Sequence, residues 1–205
     1  MAGISNSKEK FLSLDMSAPI WDHFFTVAPL IVIGTKENEG YDMAPKHMAT
    51  PLGHDNYFGF VCTPKHATYR NILDTGFFTV SYPKVDQVVL TSLTSSPRCE
   101  DGSGRKVILE DLPTFKAPNI DALFLDGSYL LFECKYLKVI DGFGENSFIT
   151  GKIISAFIDK SYLRISDNDE QEMVMHAPLL AYLAYGRFAE VKKSLAFPFP
   201  KNFNY

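Results

Sequence analysis

The sequence predicts a mainly β protein, a closed or split barrel with a few peripheral helices, and three observations carry that prediction. Short runs rich in Val, Ile, Phe, Tyr and Thr recur along the chain, each bounded by Gly, Pro, Asn or Asp turn residues. Helical patterns are few, and strands and helices do not alternate as a parallel βαβ sheet requires. Aromatic residues make up 14% of the chain, with 17 Phe and 10 Tyr, a bias towards pleated surfaces.

Taken in order, residues 1–27 form an irregular lead-in carrying the single tryptophan, Trp21, which reads as a core or interface anchor. Strands follow near 28–35, 43–50, 56–62 and 77–82. The clearest helix lies before the last of these. It has Thr63 as N-cap, Pro64 as first helical residue and Gly76 as the cap after KHATYRNILDT. After Pro83, residues Val85, Val88, Val89 and Leu93 stand at helical spacing and predict a short amphipathic helix. The stretch 96–106, SPRCEDGSGRK, is turn-rich and polar and reads as a loop or excursion. A small helical piece near 106–111 and the Pro-punctuated connection LPTFKAPNI lead into the second half. There 128–140 and 149–159 read as the arms of a long hairpin, turned by DGFGE at 141–145, with Gly151 at a bend. Residues 165–173 read as an acidic loop and 179–188 as a final short element. Residues 191–205 form an aromatic tail expected to drape over the barrel or a partner subunit. No repeat is evident, and one domain is expected over 1–205.

Composition narrows the function classes. With 46% hydrophobic and 21% charged residues the chain is ordinary for a globular protein. A net charge of −4 and a pI near 5.7 argue against nucleic acid or an anionic membrane as partner. Cys62, Cys99 and Cys134 are odd in number and lack C-x-x-C spacing, so neither a disulfide framework nor a zinc site is expected. Cys62 and Cys134 lie in apolar strands and read as small hydrophobes. No signal-peptide core or membrane span is evident, and a cytoplasmic setting is expected.

The helix start concentrates the polar chemistry. Lys65, His66 and Thr68 gather a cation, an imidazole and a hydroxyl where backbone N–H groups lack helical partners. That combination suits a phosphate carrying roughly −1.5 to −2 charges, and Asn71 adds a donor three residues beyond Thr68. An ordinary capped surface helix is the alternative reading. His23, His54 and His176 read as packing, turn or solvent residues. No Ser-His-Asp order, HExxH, P-loop or GxGxxG is present.

The order of segments around this helix resembles the flavin reductase-like family of FMN-binding split-barrel proteins. A P-x-V-I-x-G-T strand corresponds to Pro29 to Thr35, and a G-x-N-x-A-P segment to Gly40 to Pro45. The K/R/H-x-T-x-x-N-I helix start is His66-Ala67-Thr68-Tyr69-Arg70-Asn71-Ile72, and the F-x-V-(N/S) strand is Phe78-Thr79-Val80-Ser81. Ser147 to Ile153, then Pro178-Leu179-Leu180 with Tyr185-Gly186-Arg187-Phe188, complete the likeness over residues 27–190.

The resemblance implies a Greek-key split barrel, FMN as cofactor and an isologous homodimer with the flavin near its interface. It also implies NAD(P)H as a transient donor that stacks on the flavin and passes hydride to N5, with no side-chain catalyst required. Thr63, Lys65, His66, Ala67, Thr68 and Asn71 would then hold the phosphate. Asp42, Met43, Ala44, Pro45, Lys46, His47 and Met48 would run beside the ring, with Lys46 or His47 steadying charge at the N1–C2 edge. Arg187 would reach the flavin, across the dimer interface if the family's arrangement holds. Two positions depart from the commoner pattern: Asp42 stands where an Asn is usual, and His47 where a small hydroxyl residue is. A permanent-FMN electron carrier, or a relative holding haem, a deazaflavin or pyridoxal phosphate, is the alternative function.

Overall fold

The computed structural model describes residues 10–99, 104–165, 169–183, 186–196, 198, 200 and 201. Its body is a curled seven-stranded antiparallel sheet. In sequence the strands are β1 (Val27–Pro29), β2 (Ile31–Glu37), β3 (Gly40–Lys46), β4 (Ala49–Pro51), β5 (Tyr57–Cys62) and β6 (Phe77–Tyr82). They continue with β7 (Thr114–Lys116), β8 (Leu123–Leu125), β9 (Leu130–Phe143), β10 (Asn146–Ile158), β11 (Leu179–Leu183) and β12 (Arg187–Val191). The large sheet runs β3-β2-β6-β9-β10-β5-β4, with separate sheets β1-β11-β12 and β7-β8. This is the split-barrel architecture.

Period-2 alternation builds the core. Ile31 and Ile33 of β2, Phe58, Phe60 and Cys62 of β5, and Phe78 and Val80 of β6 point to one face and are buried together. Phe60 and Phe78 meet edge to face with centroids 5.5 Å apart. Cys62 and Cys134 are buried in this cluster, and burial pushes both thiols up from their ordinary pKa. On the opposite face of β2, Val32 packs with Met43 and Leu125 under the β7–β8 hairpin. Thr79 Oγ1 donates to the Leu123 carbonyl at 2.5 Å, and Ser81 Oγ accepts from Leu125 N–H at 3.1 Å.

The long hairpin is β9–β10, and Gly151 does sit at an irregularity, where the register shifts between Thr150 and Gly151. A Cβ at Gly151 would lie 2.7 Å from the Phe78 ring, so a larger residue is excluded by packing. Helix α1 (Ala67–Thr75) ends at Gly76, whose φ of 76° is left-handed and whose N–H bonds the Ile72 carbonyl at 2.9 Å. Helix α2 (Val88–Leu93) follows a single 3-10 turn at Val85–Gln87, as the spacing of its valines predicts. A further 3-10 turn occupies Val107–Glu110.

Several details differ from the sequence expectations: the strand expected over 43–50 is split into β3 and β4, and the connection after the 3-10 turn pairs as β7 and β8. The helix begins three residues late: His66 is the N-cap, and Thr63-Pro64 belongs to a preceding turn in which His66 N–H bonds the Thr63 carbonyl at 3.1 Å. The hairpin turn is tighter than 141–145, because β9 stays paired through Phe143 to Asn146. The acidic loop contains a helix, α3 (Glu170–His176), because the Asp169 carboxylate caps Gln171 and Glu172 N–H groups at 2.7 and 3.2 Å. The final short element is two paired strands, β11 and β12. Residues 100–103 of the 96–106 excursion, 1–9 of the lead-in, 166–168, 184–185 and residues 197, 199 and 202–205 of the tail lie outside the described residues. Among the described residues no helix is long and apolar enough to cross a membrane.

Candidate functional site

A cavity of about 420 Å3 opens between the end of β3 and the start of α1. β3 brings Asp42, Ala44, Pro45 and Lys46 to its wall. The helix start brings Lys65, His66, Ala67, Thr68 and Arg70, and the excursion after α2 closes it with Ser95, Arg98 and Lys106. Lys46, Lys65, Arg70, Arg98 and Lys106 carry positive charge at neutral pH, and Asp42 is the one carboxylate among the described lining residues.

That carboxylate is fully engaged. Its Oδ1 accepts from Arg98 Nη2 at 2.9 Å and Lys106 Nζ at 3.2 Å, and its Oδ2 accepts from Thr68 Oγ1 at 3.1 Å. The Lys106 ammonium, nearly buried, also bonds the Met43 carbonyl at 2.6 Å. Arg98 Nη1 donates to Glu37 at 2.7 Å and to the Gly104 carbonyl at 2.6 Å. Asp42 therefore orders two cations rather than neutralising the whole wall. The remaining field is positive.

The helix start adds donors. Among the described hydrogen bonds, none takes up the N–H groups of Ala67 and Thr68, as expected for the first turn of a helix. Lys46 Nζ lies 3.5 Å from His66 Nδ1. Burial first, and Lys46 second, hold the His66 pKa below the ordinary histidine value, and the same two causes lower that of His47. The His47 ring packs against Tyr182 of β11 with centroids 4.4 Å apart, which ties the β3–β4 connection to the small sheet. Basic side chains, a hydroxyl and helix N–H groups around a solvent-open cavity fit a phosphate-bearing ligand. They can grip and orient an anion. Among the described residues, no cluster of three or more His, Cys, Asp or Glu could hold a metal.

Of the residues singled out in the sequence, Asp42, Ala44, Pro45, Lys46, Lys65, His66, Ala67 and Thr68 meet at this cavity. Others lie elsewhere. Met43 is buried with Val32 and Leu125, and Met48 is 52% exposed. Thr63 borders a separate depression with Asp141 and Glu145, although its hydroxyl accepts from Lys65 N–H at 3.4 Å. Asn71 is buried and donates to Thr35 Oγ1 at 3.0 Å, facing β2 rather than the cavity. Arg187, exposed on β12, pairs across the strands with Leu183, next to Tyr182. Tyr185 lies outside the described residues.

Arg98 and Lys106 are the contributors that sequence reading missed. Their partner Asp42 is 56 and 64 residues away, and no local pattern signals such a pairing. Arg70 was within reach, since it stands four residues after His66 on the same helical face.

A model of the flavin reductase like domain matches residues 25–182. No curated protein matches. Solved structures with similar folds include the 2-nitrobenzoate 2-nitroreductase of Pseudomonas fluorescens, 17% identical, with a TM-score of 0.75 over 95% of this chain and 99% of that one. An FMN-binding protein of Thermus thermophilus with bound 1-cyclohex-2-enone is 21% identical, with a TM-score of 0.73 over 91% and 99%. The flavoredoxin of Desulfovibrio vulgaris is 18% identical, with a TM-score of 0.71 over 93% and 99%.

Proposed function

The chain belongs to the flavin reductase-like family, and from that premise we propose that it is an FMN-dependent oxidoreductase reduced by NADH or NADPH. The observation that carries the reading is the cationic cavity at the start of α1, where backbone N–H groups meet five basic side chains; Asp42 holds Arg98 and Lys106, Glu37 also holds Arg98, and Glu145 holds Lys65. Lys65, His66, Thr68, Arg98 and Lys106 bind and orient the phosphate. From that anchor the 44–48 segment lies alongside the ring, with backbone N–H groups as tolerant donors. Bound FMN would supply the redox chemistry, the exchange of electrons between a nicotinamide donor and an acceptor.

The protein's own part is positional. Lys46, which lines the cavity, steadies negative charge at one edge of the ring, and no side chain has to move a proton for the hydride step. An isologous homodimer completes the reading, with β12 and Arg187 near the partner's flavin.

The test is the visible spectrum of purified protein, recorded anaerobically after FMN is supplied and then after NADH and NADPH in turn. A flavin spectrum that bleaches within seconds supports the reductase and names its donor. A bound flavin that resists both donors replaces it with an electron carrier. Absence of any bound flavin removes the phosphate site.

A further inference from the structure

Across the middle of the large sheet two lysines face each other. Lys135 of β9 pairs with Lys152 of β10, and the row continues to Phe77 of β6 on one side and Tyr57 of β5 on the other. The neighbouring row, Phe78, Cys134 and Ile153, packs into the core, so by strand alternation the lysine row points away from it. Cover from the rest of the chain stops just short. Asn119, in the β7–β8 connection, donates to Glu133 two residues back on the same face, from its N–H at 2.8 Å and its Nδ2 at 2.7 Å. Beyond that point Lys135, Leu137, Lys138, Ile140 and Lys152 are all exposed. Among the described residues, no carboxylate pairs with Lys135, Lys138 or Lys152.

Like charges directly opposite each other destabilise a sheet. Two ordinary reasons for lysine on a strand do not apply. Lysine guards open sheet edges against stray pairing, but here β9 and β10 are flanked by β6 and β5. Solubility would be served as well by an acid at either position, which would also pair with the lysine opposite. The chain as a whole carries a net charge of −4, so the patch runs against its overall sign.

We propose that the outer face of β9–β10 docks an acidic protein, whose carboxylates meet Lys135, Lys138 and Lys152 around an apolar centre on Leu137 and Ile140. An apolar centre inside a polar rim is how protein interfaces are built, and opposite charge speeds encounter and fixes register. A second copy does not fit, because two-fold contact through this face would set lysines on lysines. A long polyanion would meet the negative charge of the whole chain, whereas a folded partner engages only charges within a Debye length of ~10 Å. This surface does not depend on the flavin reading.

The experiment follows the anisotropy of two labelled synthetic peptides, one of glutamate alone and one alternating glutamate with leucine. Each is titrated with the full chain in phosphate buffer, so that phosphate competes for the cationic cavity. Lys135→Glu is the test variant, since it turns the lysine pair into a cross-strand ion pair. Lys192→Glu changes the same charge on β12 as a control. The leucine-containing peptide is expected to bind more tightly than the other, to weaken about tenfold or more in Lys135→Glu, and to stay within about twofold in Lys192→Glu. Lys135→Glu is also expected to raise the urea midpoint, because the parent keeps its lysine pair at a cost. If that variant fails to fold, Lys152→Thr takes its place with the same readings. Absence of peptide binding, equal weakening in both variants, or a test variant no more stable than the parent overturns the proposal. Oligothymidylate or anionic vesicles bound as tightly, and released by the same variant, give the face to a generic polyanion and overturn it too. So does self-association of the parent that Lys135→Glu abolishes, which makes a second copy the occupant.

Discussion

His66 is the residue where a proton and a phosphate would act on the same cluster of cations. In the ligand-free chain, burial and Lys46 keep its pKa below 6.5, so the imidazole is neutral at pH 7. A phosphate dianion beside it reverses the second effect, and the bound state then holds more protons than the free one. By linkage, affinity must rise as pH falls. Between pH 7.5 and 6.5, FMN affinity is expected to increase about threefold, riboflavin affinity to stay flat, and His66→Gln to flatten the FMN response. The window closes near pH 6, where the phosphate itself is about half protonated. Without ligand the sign concerns stability. His66 and His47 bind fewer protons folded than unfolded, so the stability they contribute is present above about pH 6.5 and lost as pH falls through their folded values.

Asp42 makes the second prediction at this scale. With its carboxylate nearly buried between Arg98, Lys106 and Thr68, Asp42→Asn removes the counter-charge from a lysine that is itself 7% exposed. The loss is expected to be about 3 kcal/mol in urea unfolding, with the m-value unchanged. A variant as stable as the parent would show that the ion pairs contribute nothing net. Because an Asn is usual at this position, Asp42 was a visible anomaly in the sequence. Its explanation was not visible, since both cations come from a polar excursion 56 and 64 residues further along the chain.

At the scale of elements, Gly34 decides how closely the β7–β8 hairpin can approach β2. A Cβ there would collide with the Leu123 carbonyl oxygen and with Thr79 Oγ1, the pair that already share a hydrogen bond. The carbonyl is backbone and cannot step aside. Gly34→Ala is therefore expected to destabilise the chain by about 3 kcal/mol, measured by chemical denaturation, through overpacking alone. Gly40→Ala is its control: the nearest atom its Cβ would meet is the Glu37 carbonyl oxygen at 3.8 Å, so its cost should be small. The same glycine shows what sequence could and could not convey. Its strand was legible, because Ile31, Ile33 and Val32 are apolar at every step and the strand is buried on both faces. The element covering the second face was not, because two three-residue strands joined by a Pro118-containing connection carry too little periodicity to register. The late helix start has a similar cause. Thr63-Pro64 is a sound capping signal, but the turn it makes is closed by a His66-to-Thr63 bond before the helix proper begins.

The whole molecule presents a mismatch between its surface and the solvent. Phe11, Leu12, Met16, Trp21, Phe25 and Val27 of the lead-in are exposed, several by more than two thirds, in a single chain. Trp21 touches Phe24 with centroids 5.9 Å apart, yet it remains 54% exposed, so it does not anchor this chain's own core. An apolar stretch of this length beside β1 is what a second copy would cover in the proposed homodimer. The single tryptophan reports on that directly. In flavin-free protein at high concentration, sedimentation is expected to give twice the 23.0 kDa chain mass. Trp21 emission should then be blue-shifted and poorly quenched by acrylamide. Dilution through the dissociation range should move both signals together, towards a red-shifted, readily quenched indole. Trp21→Lys, which puts a charge into the covered stretch without touching β3 or α1, should give a monomer that keeps its cationic cavity. A chain of single mass whose Trp21 is red-shifted at every concentration would leave the lead-in uncovered and dismiss the dimer.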